Sequence, residues 1–172
     1  MNDGGTLGDR TSGKKTTARV VVVGVGNPYR RDDAAGLVVA QRLRQEAPSH
    51  VTVIELEGEP TALLEAWRSA HTVVLIDAVF SGAEAGTIYR LDARAGAIPQ
   101  ELFRYSTHAV SVAEAIELAR ALGQLPPRLV VYGIEGKDFS AGVGLSPEVE
   151  GRVAELTERV LRELLDATEA EA

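Results

Sequence analysis

Four consecutive valines, Val20 to Val23, run into Gly24-Val25-Gly26, then Asn27-Pro28-Tyr29-Arg30-Arg31, then two adjacent acids, Asp32 and Asp33. No other stretch limits the possible folds as strongly. β-Branched residues that are apolar on both faces suit a parallel strand covered by helices on each side. Gly24 and Gly26 allow a tight turn away from the sheet, and Pro28 ends any pairing. Beyond Asp33, apolar positions recur at helical spacing: Ala35, Val39, Leu43 and Ala47, with Val38 beside them. In an open α/β sheet, ligands bind at a strand-to-helix corner of this kind.

Three readings of the corner compete. Gly24-Val25-Gly26 begins a dinucleotide fingerprint, with Glu55 or Glu57 at the end of the next strand as the ribose-binding acid, but Tyr29 stands where the third glycine belongs. A pyrophosphate also needs bare N–H groups and the positive end of a helix, where Asp32 and Asp33 would repel it. The acidic pair instead suits a cation or a catalytic carboxylate. It also suits a plain structural role, one aspartate capping the helix and complementing its dipole.

The rest of the chain alternates strands and helices. Val51 to Glu57 reads as a second strand, and Pro60 opens a helix carrying Leu63, Leu64 and Trp67. Thr72 to Asp77 is a third strand, apolar up to its final acid, and Thr87 to Leu91 a short fourth. About eight residues join third to fourth, too few for a parallel crossover, so the fourth is expected to be antiparallel. Ser111 and Glu114 form a capping box at the head of a helix burying Val112, Ile116 and Ala119. Leu129 to Ile134 is the last strand. Ser146-Pro147 then starts a single final helix as N-cap and N1, with Val149, Val153, Leu156, Val160 and Leu164 inward. These elements predict one α/β domain over residues 19–166, a three-layer α/β/α sandwich, between a disordered tail at 1–18 and another at 167–172.

A net charge of −7 without a basic patch argues against a nucleic-acid partner. With no cysteine, a thiol nucleophile, an iron–sulfur cluster and a disulfide framework are excluded, in keeping with a cytoplasmic protein. No apolar run reaches the length of a membrane helix, and the N-terminal stretch lacks the apolar segment of a signal peptide. A nucleophile elbow, a Walker A loop and H-E-x-x-H are all absent.

Two more residues join the corner as candidates. Asp77 follows Val73 to Ile76 at the carboxyl end of a central strand, where a desolvated carboxylate needs a partner, in loop N–H groups or in a functional site. His108 lies at the approach to the Ser111 helix, whose dipole favours a neutral ring able to act as ligand or base. His50 and His71 read as solvated surface residues. With strands one, three and five parallel, Asp33, Asp77 and His108 gather above one sheet edge. Two carboxylates and an imidazole suit a divalent first-row metal and suit copper(I) poorly.

At these residues the chain resembles the hydrogenase maturation endopeptidases, which process the large subunit of nickel–iron hydrogenases. The matching segments are Gly24 to Gly36, Leu75-Ile-Asp-Ala-Val79, Ser106-Thr-His-Ala-Val110 and Gly144-Leu-Ser-Pro-Glu-Val149. The resemblance implies a phosphorylase/hydrolase-like mixed five-stranded sheet with strand four antiparallel. It implies that Asp33, Asp77 and His108 contact nickel, with Asp33 standing where some members have Glu. It further implies removal of a C-terminal extension from a nickel-loaded precursor, by a monomer whose Ni2+ arrives with the substrate. The same fold would also suit a non-catalytic nickel-sensing chaperone, and a nucleotide-binding enzyme built on Gly24 and Gly26 is the more distant alternative.

Overall fold

The computed structural model describes residues 19–103 and 111–170. The elements are β1 (Val20–Val25), a 3-10 turn (Arg31–Ala34), α1 (Ala35–Glu46), β2 (Val51–Leu56), α2 (Pro60–Ala66), β3 (Thr72–Val79), β4 (Ile88–Asp92), a second 3-10 turn (Gln100–Phe103), α3 (Val112–Ala121), β5 (Arg128–Glu135), α4 (Pro147–Glu150) and α5 (Val153–Ala170). The sheet order is β2-β1-β3-β5-β4. β1, β2, β3 and β5 run parallel, and β4 is antiparallel to β5, as the short third-to-fourth connection predicts.

Alternate side chains of the buried strands feed two cores. Val21, Val23, Val73, Leu75, Leu129 and Val131 face Leu63 and Trp67 at α2 and Val112 and Ile116 of α3. Val20, Val22, Val74, Ile76, Val130 and Tyr132 face Val39 and Leu43 of α1 and Leu156, Val160 and Leu164 of α5. Burial on both faces explains why β1 and β3 read as unbroken apolar runs.

Three expectations are corrected. β3 continues through Ala78 and Val79 and β5 through Glu135, pairing Val79 with Glu135, so Asp77 is not the final residue of its strand. The last helix is broken in two: Arg152 N–H turns to the Val149 carbonyl at 3.0 Å, a tight i→i−3 closure at Gly151 that separates α4 from α5. The domain also does not stop at 166, because α5 runs to Ala170 with Ala167 buried against the core. The predicted N-terminal tail, 1–18, lies outside the described residues, and so do residues 171–172. Among the described residues no helix is long and apolar enough to cross a membrane.

Candidate functional site

The site begins where β1 leaves the sheet. β1 pairs with β3 only as far as Gly24 opposite Ile76, so from Asp77 onward β3 has no β1 neighbour. The 3-10 turn carrying Asp32 and Asp33 lies against this part of β3. Glycine makes the fit possible by its size. A Cβ on Gly26 would stand 2.0 Å from the Asp33 carbonyl oxygen, and one on Gly24 2.3 Å from that of Gly36. A Cβ on Gly36 would stand 2.3 Å from the Ile76 oxygen and 2.4 Å from the Val25 oxygen. All four distances are far inside contact. Gly24 and Gly26 are not among the residues with positive φ. They admit the helix and the acidic turn, and are not needed for an unusual backbone. The volume that the dinucleotide reading reserves for a pyrophosphate is filled by the chain itself, and Glu55 is held by Arg44 at 2.7 Å.

The two aspartates of the turn have different tasks. Neither caps α1, whose N-cap is Ala34, and no side-chain cap bond is made there. Asp32 is fully buried. Its Oδ2 accepts from the backbone N–H of Lys137 at 2.8 Å and of Asp138 at 2.9 Å, and its Oδ1 from the N–H of Ser146 at 2.6 Å. The Ser146 hydroxyl donates to Oδ2 at 2.8 Å. Ser146 therefore stands at the N-cap position of α4 without a side-chain cap bond, because its hydroxyl is committed to Asp32. One carboxylate thus anchors both ends of the loop between β5 and α4. Arg30 Nε adds a bond to the Phe139 carbonyl at 3.2 Å, and the Phe139 ring meets Phe80 edge-on at 5.9 Å.

Asp33 turns the other way, toward Asp77. Both are about 5% exposed. Burial pushes the Asp77 carboxyl well above the usual carboxylate range. The Asp33 charge raises it further, and the Ala78 backbone N–H works weakly in the opposite sense. Among the described residues no guanidinium or ammonium lowers it. Asp33 thus lies near enough for its charge to act on Asp77. His108, the third member, lies outside the described residues. Among the described residues no group of three potential ligands converges on one point. His50 and His71 are exposed, as expected.

Glu135 was not singled out from the sequence. It is fully buried at the end of β5 and accepts from Ser81 N–H at 2.7 Å, Ser81 Oγ at 2.9 Å and Gly82 N–H at 2.9 Å. It holds the β3–β4 turn beside the site as Asp32 holds the β5–α4 loop. The available signal was an acid closing an otherwise apolar strand, the same pattern that marks Asp77.

The family model for HycI, hydrogenase maturation protease, matches residues 37–163. The chain belongs to the hydrogenase maturation protease family. This maturation protease is 28% identical over 154 residues to the hydrogenase 2 maturation protease of Escherichia coli (strain K12), across 87% of this chain and 92% of that protein. Its fold matches the solution structure of an endopeptidase from Escherichia coli with a TM-score of 0.72 at 27% identity, covering 87% and 93% of the two chains. The match to the hydrogenase maturating endopeptidase HybD of Escherichia coli has a TM-score of 0.67 at 25% identity, again over 87% and 93%. Membership makes this maturation protease a peptide-bond hydrolase.

Proposed function

We propose that this chain is the endopeptidase that removes a C-terminal extension from the nickel-loaded precursor of a nickel–iron hydrogenase large subunit, with Asp33, Asp77 and His108 contacting the nickel that the precursor brings. The observation that carries the reading is the pairing of Asp33 and Asp77. Two carboxylates buried side by side, one raising the other, gain most from a divalent cation, whose charge favours the ionised form of both. Carboxylate oxygens and an imidazole are ordinary ligands for such an ion. They form a small set on separate segments, with no thiolate in the chain, which favours weak retention of a free ion and stronger binding once the precursor supplies further ligands. Nickel held there by Asp33, Asp77 and His108 would supply Lewis-acid chemistry, at the scissile carbonyl or at an attacking water. The chain's own part is to hold Asp33 and Asp77 at the mouth of the β1–β3 gap and to keep the flanking loops in place through Asp32 and Glu135. On this reading the protein works as a cytoplasmic monomer on a folded, metallated partner.

The experiment is to mix the protein with nickel-loaded and with metal-free precursor and to weigh the products. The expected result is loss of the C-terminal extension from the nickel-loaded precursor alone. A precursor that is bound and released at unchanged mass identifies a nickel-sensing chaperone instead. His108→Ala is expected to keep the fold and lose processing, and full cleavage by that variant removes His108 from the site.

A further inference from the structure

Asp77 has no side chain paired beside it on either flank of its strand. Alternation along β3 places it on the same face as Leu75 and Val79, which belong to the core toward α2 and α3. Neighbouring strands lie about 4.8 Å apart, so residues in register with Asp77 are its closest possible lateral neighbours. On the β1 side the pairing ends at Gly24 opposite Ile76, one residue short of Asp77. On the β5 side the register partner is Gly133, which is paired in turn with Tyr89 of β4. The first flank is open because a strand ends, and the second because a side chain is missing.

Gly133 does not serve an unusual backbone, since it is not among the glycines with positive φ. It serves a close approach, the usual reason for a glycine inside a strand. A Cβ there would stand 2.8 Å from Val79 Cγ1, 3.4 Å from Val79 Cγ2 and 3.7 Å from Tyr89 Cβ. Val79 lies two positions beyond Asp77 on the same face and is about 1% exposed. Its β-branched side chain is stiff at χ1, so it cannot swing clear at little cost. Both of its methyl groups therefore rest against the bare Gly133 Cα, on the β5 flank of Asp77.

We propose that Gly133 is a positioning residue for the reaction: it admits the Val79 methyl groups to the β5 flank of Asp77, and this apolar wall keeps the carboxylate turned toward Asp33 and the nickel of the precursor. The proposal rests on the endopeptidase reading, which makes Asp77 a group that meets the metal. A wall without donors or acceptors offers the carboxylate no partner on that side. It also keeps the surroundings of Asp77 poorly polarisable, where the attraction between a carboxylate and a divalent cation is strongest. Burial is accordingly the largest influence on the Asp77 carboxyl. A hydroxyl or a water in place of those methyl groups would act in the opposite sense on both counts, bonding a carboxylate oxygen and weakening its hold on the metal.

Three variants test the contact. Val79→Thr keeps the shape of the side chain and puts a hydroxyl in place of one methyl. Gly133→Ala sets a methyl against Val79, and Gly133→Ala combined with Val79→Ala removes the group it collides with. Each folded protein is assayed with nickel-loaded precursor for kcat and KM, and by calorimetry for its affinity toward nickel-loaded and metal-free precursor. Val79→Thr should lower kcat about tenfold and cut the preference for the nickel-loaded form about threefold. Gly133→Ala should lower kcat about thirtyfold, and the double variant should return to within about threefold of wild type. A merely structural role would move the melting temperature and leave kcat and the nickel preference of the folded variants at wild-type values, which overturns the proposal. Equal loss in Gly133→Ala and the double variant also overturns it, because the effect then does not pass through Val79. Should Gly133→Ala not fold, Val79→Thr decides by the same two measures. Failure of the wild-type protein to cleave defeats the endopeptidase reading itself, whereas cleavage by wild type with an unaltered kcat in Val79→Thr defeats this proposal alone.

Discussion

Two regions of this protein bury carboxylates under opposite electrostatic conditions. On the outer strands, Glu163 of α5 is about 6% exposed and is met by three donors. Arg90 grips it with Nε at 2.7 Å and a terminal nitrogen at 2.9 Å, Tyr132 donates its hydroxyl at 2.9 Å, and Arg128 closes the cluster. These partners, Arg90 first, draw the Glu163 carboxyl down to about 2, and burial together with the bond to Glu163 pushes the Tyr132 hydroxyl up to about 12. At the β1–β3 gap, Asp77 is buried to the same degree and receives a second carboxylate where Glu163 receives guanidinium groups. The fold neutralises one acid and concentrates charge at the other. A neutralised buried acid is a strut, whereas a pair of acids at a strand end is a cost to stability that a ligand can relieve.

The largest expected effect comes from Asp77→Asn. Processing should fall at least about a thousandfold, since the variant removes a group that acts on the reacting centre, while the metal-free protein becomes more stable. Asp77 titrates above its ordinary value in the fold, so the folded state holds the proton more tightly than the unfolded chain. Wild-type stability therefore falls as pH rises from the usual carboxylate range through the raised Asp77 value. Asparagine removes that dependence, so the advantage of the variant should widen with pH across this window. Urea melts at several pH values check this, and a variant less stable than wild type at neutral pH would break the comparison.

Glu163→Gln should do the reverse. Activity should stay close to wild type, and stability at neutral pH should drop by about 2 kcal/mol, because three donors lose a charged acceptor. The Glu163 carboxyl is lowered from an ordinary 4.5 to about 2. Its contribution is therefore complete above pH 4.5 and disappears as pH falls toward 2. Acid titrations of the two proteins should converge over that interval. Screening by the half-exposed guanidinium groups keeps the effect below what the shift alone implies.

Asp32→Asn and Ser146→Ala sharpen the comparison from a third side, because Asp32 is satisfied by N–H groups and a hydroxyl. Asparagine turns one acceptor oxygen into a donor facing other donors. A loss of about 1–3 kcal/mol and roughly a tenfold fall in kcat/KM are expected. Ser146→Ala removes one bond, with about 1 kcal/mol at stake. An Asp32→Asn protein with normal processing and normal melting would show that the loop does not depend on this anchor.

The sheet was legible because its signals are local. Val20 to Val23 announces a strand buried on both faces, the short connection after Val79 dictates an antiparallel β4, and the predicted capping box forms, with Ser111 N–H bonded to Glu114 at 2.7 Å and Glu114 N–H to Ser111 Oγ at 3.3 Å. What escaped the sequence depends on partners far along the chain. Asp32 reaches Lys137, Asp138 and Ser146 across more than a hundred residues, so local spacing offers a helix cap or a ligand site as its explanation and not a loop anchor. The same distance hides the reassignment of the Ser146 hydroxyl. Glu163 falls on the inward stripe of α5, seven positions after Leu156 and next to Leu164, a charge out of place whose meaning depends on strands it meets only in the fold. The break at Gly151 is masked by apolar residues that keep helical spacing on both sides of it.

The central claim is that Asp33 and Asp77, whose carboxyl is raised by burial and by the Asp33 charge, serve nickel that arrives with the substrate. The most direct test is calorimetric titration of nickel-loaded and metal-free precursor into Asp77→Asn and wild-type protein, read beside product mass. The account predicts that wild-type protein binds the nickel-loaded precursor at least about tenfold more tightly than the metal-free form and cleaves only the former, and that this preference collapses in Asp77→Asn. Equal affinity for the two precursors, with cleavage of the metal-free form by metal-free protein, would contradict it.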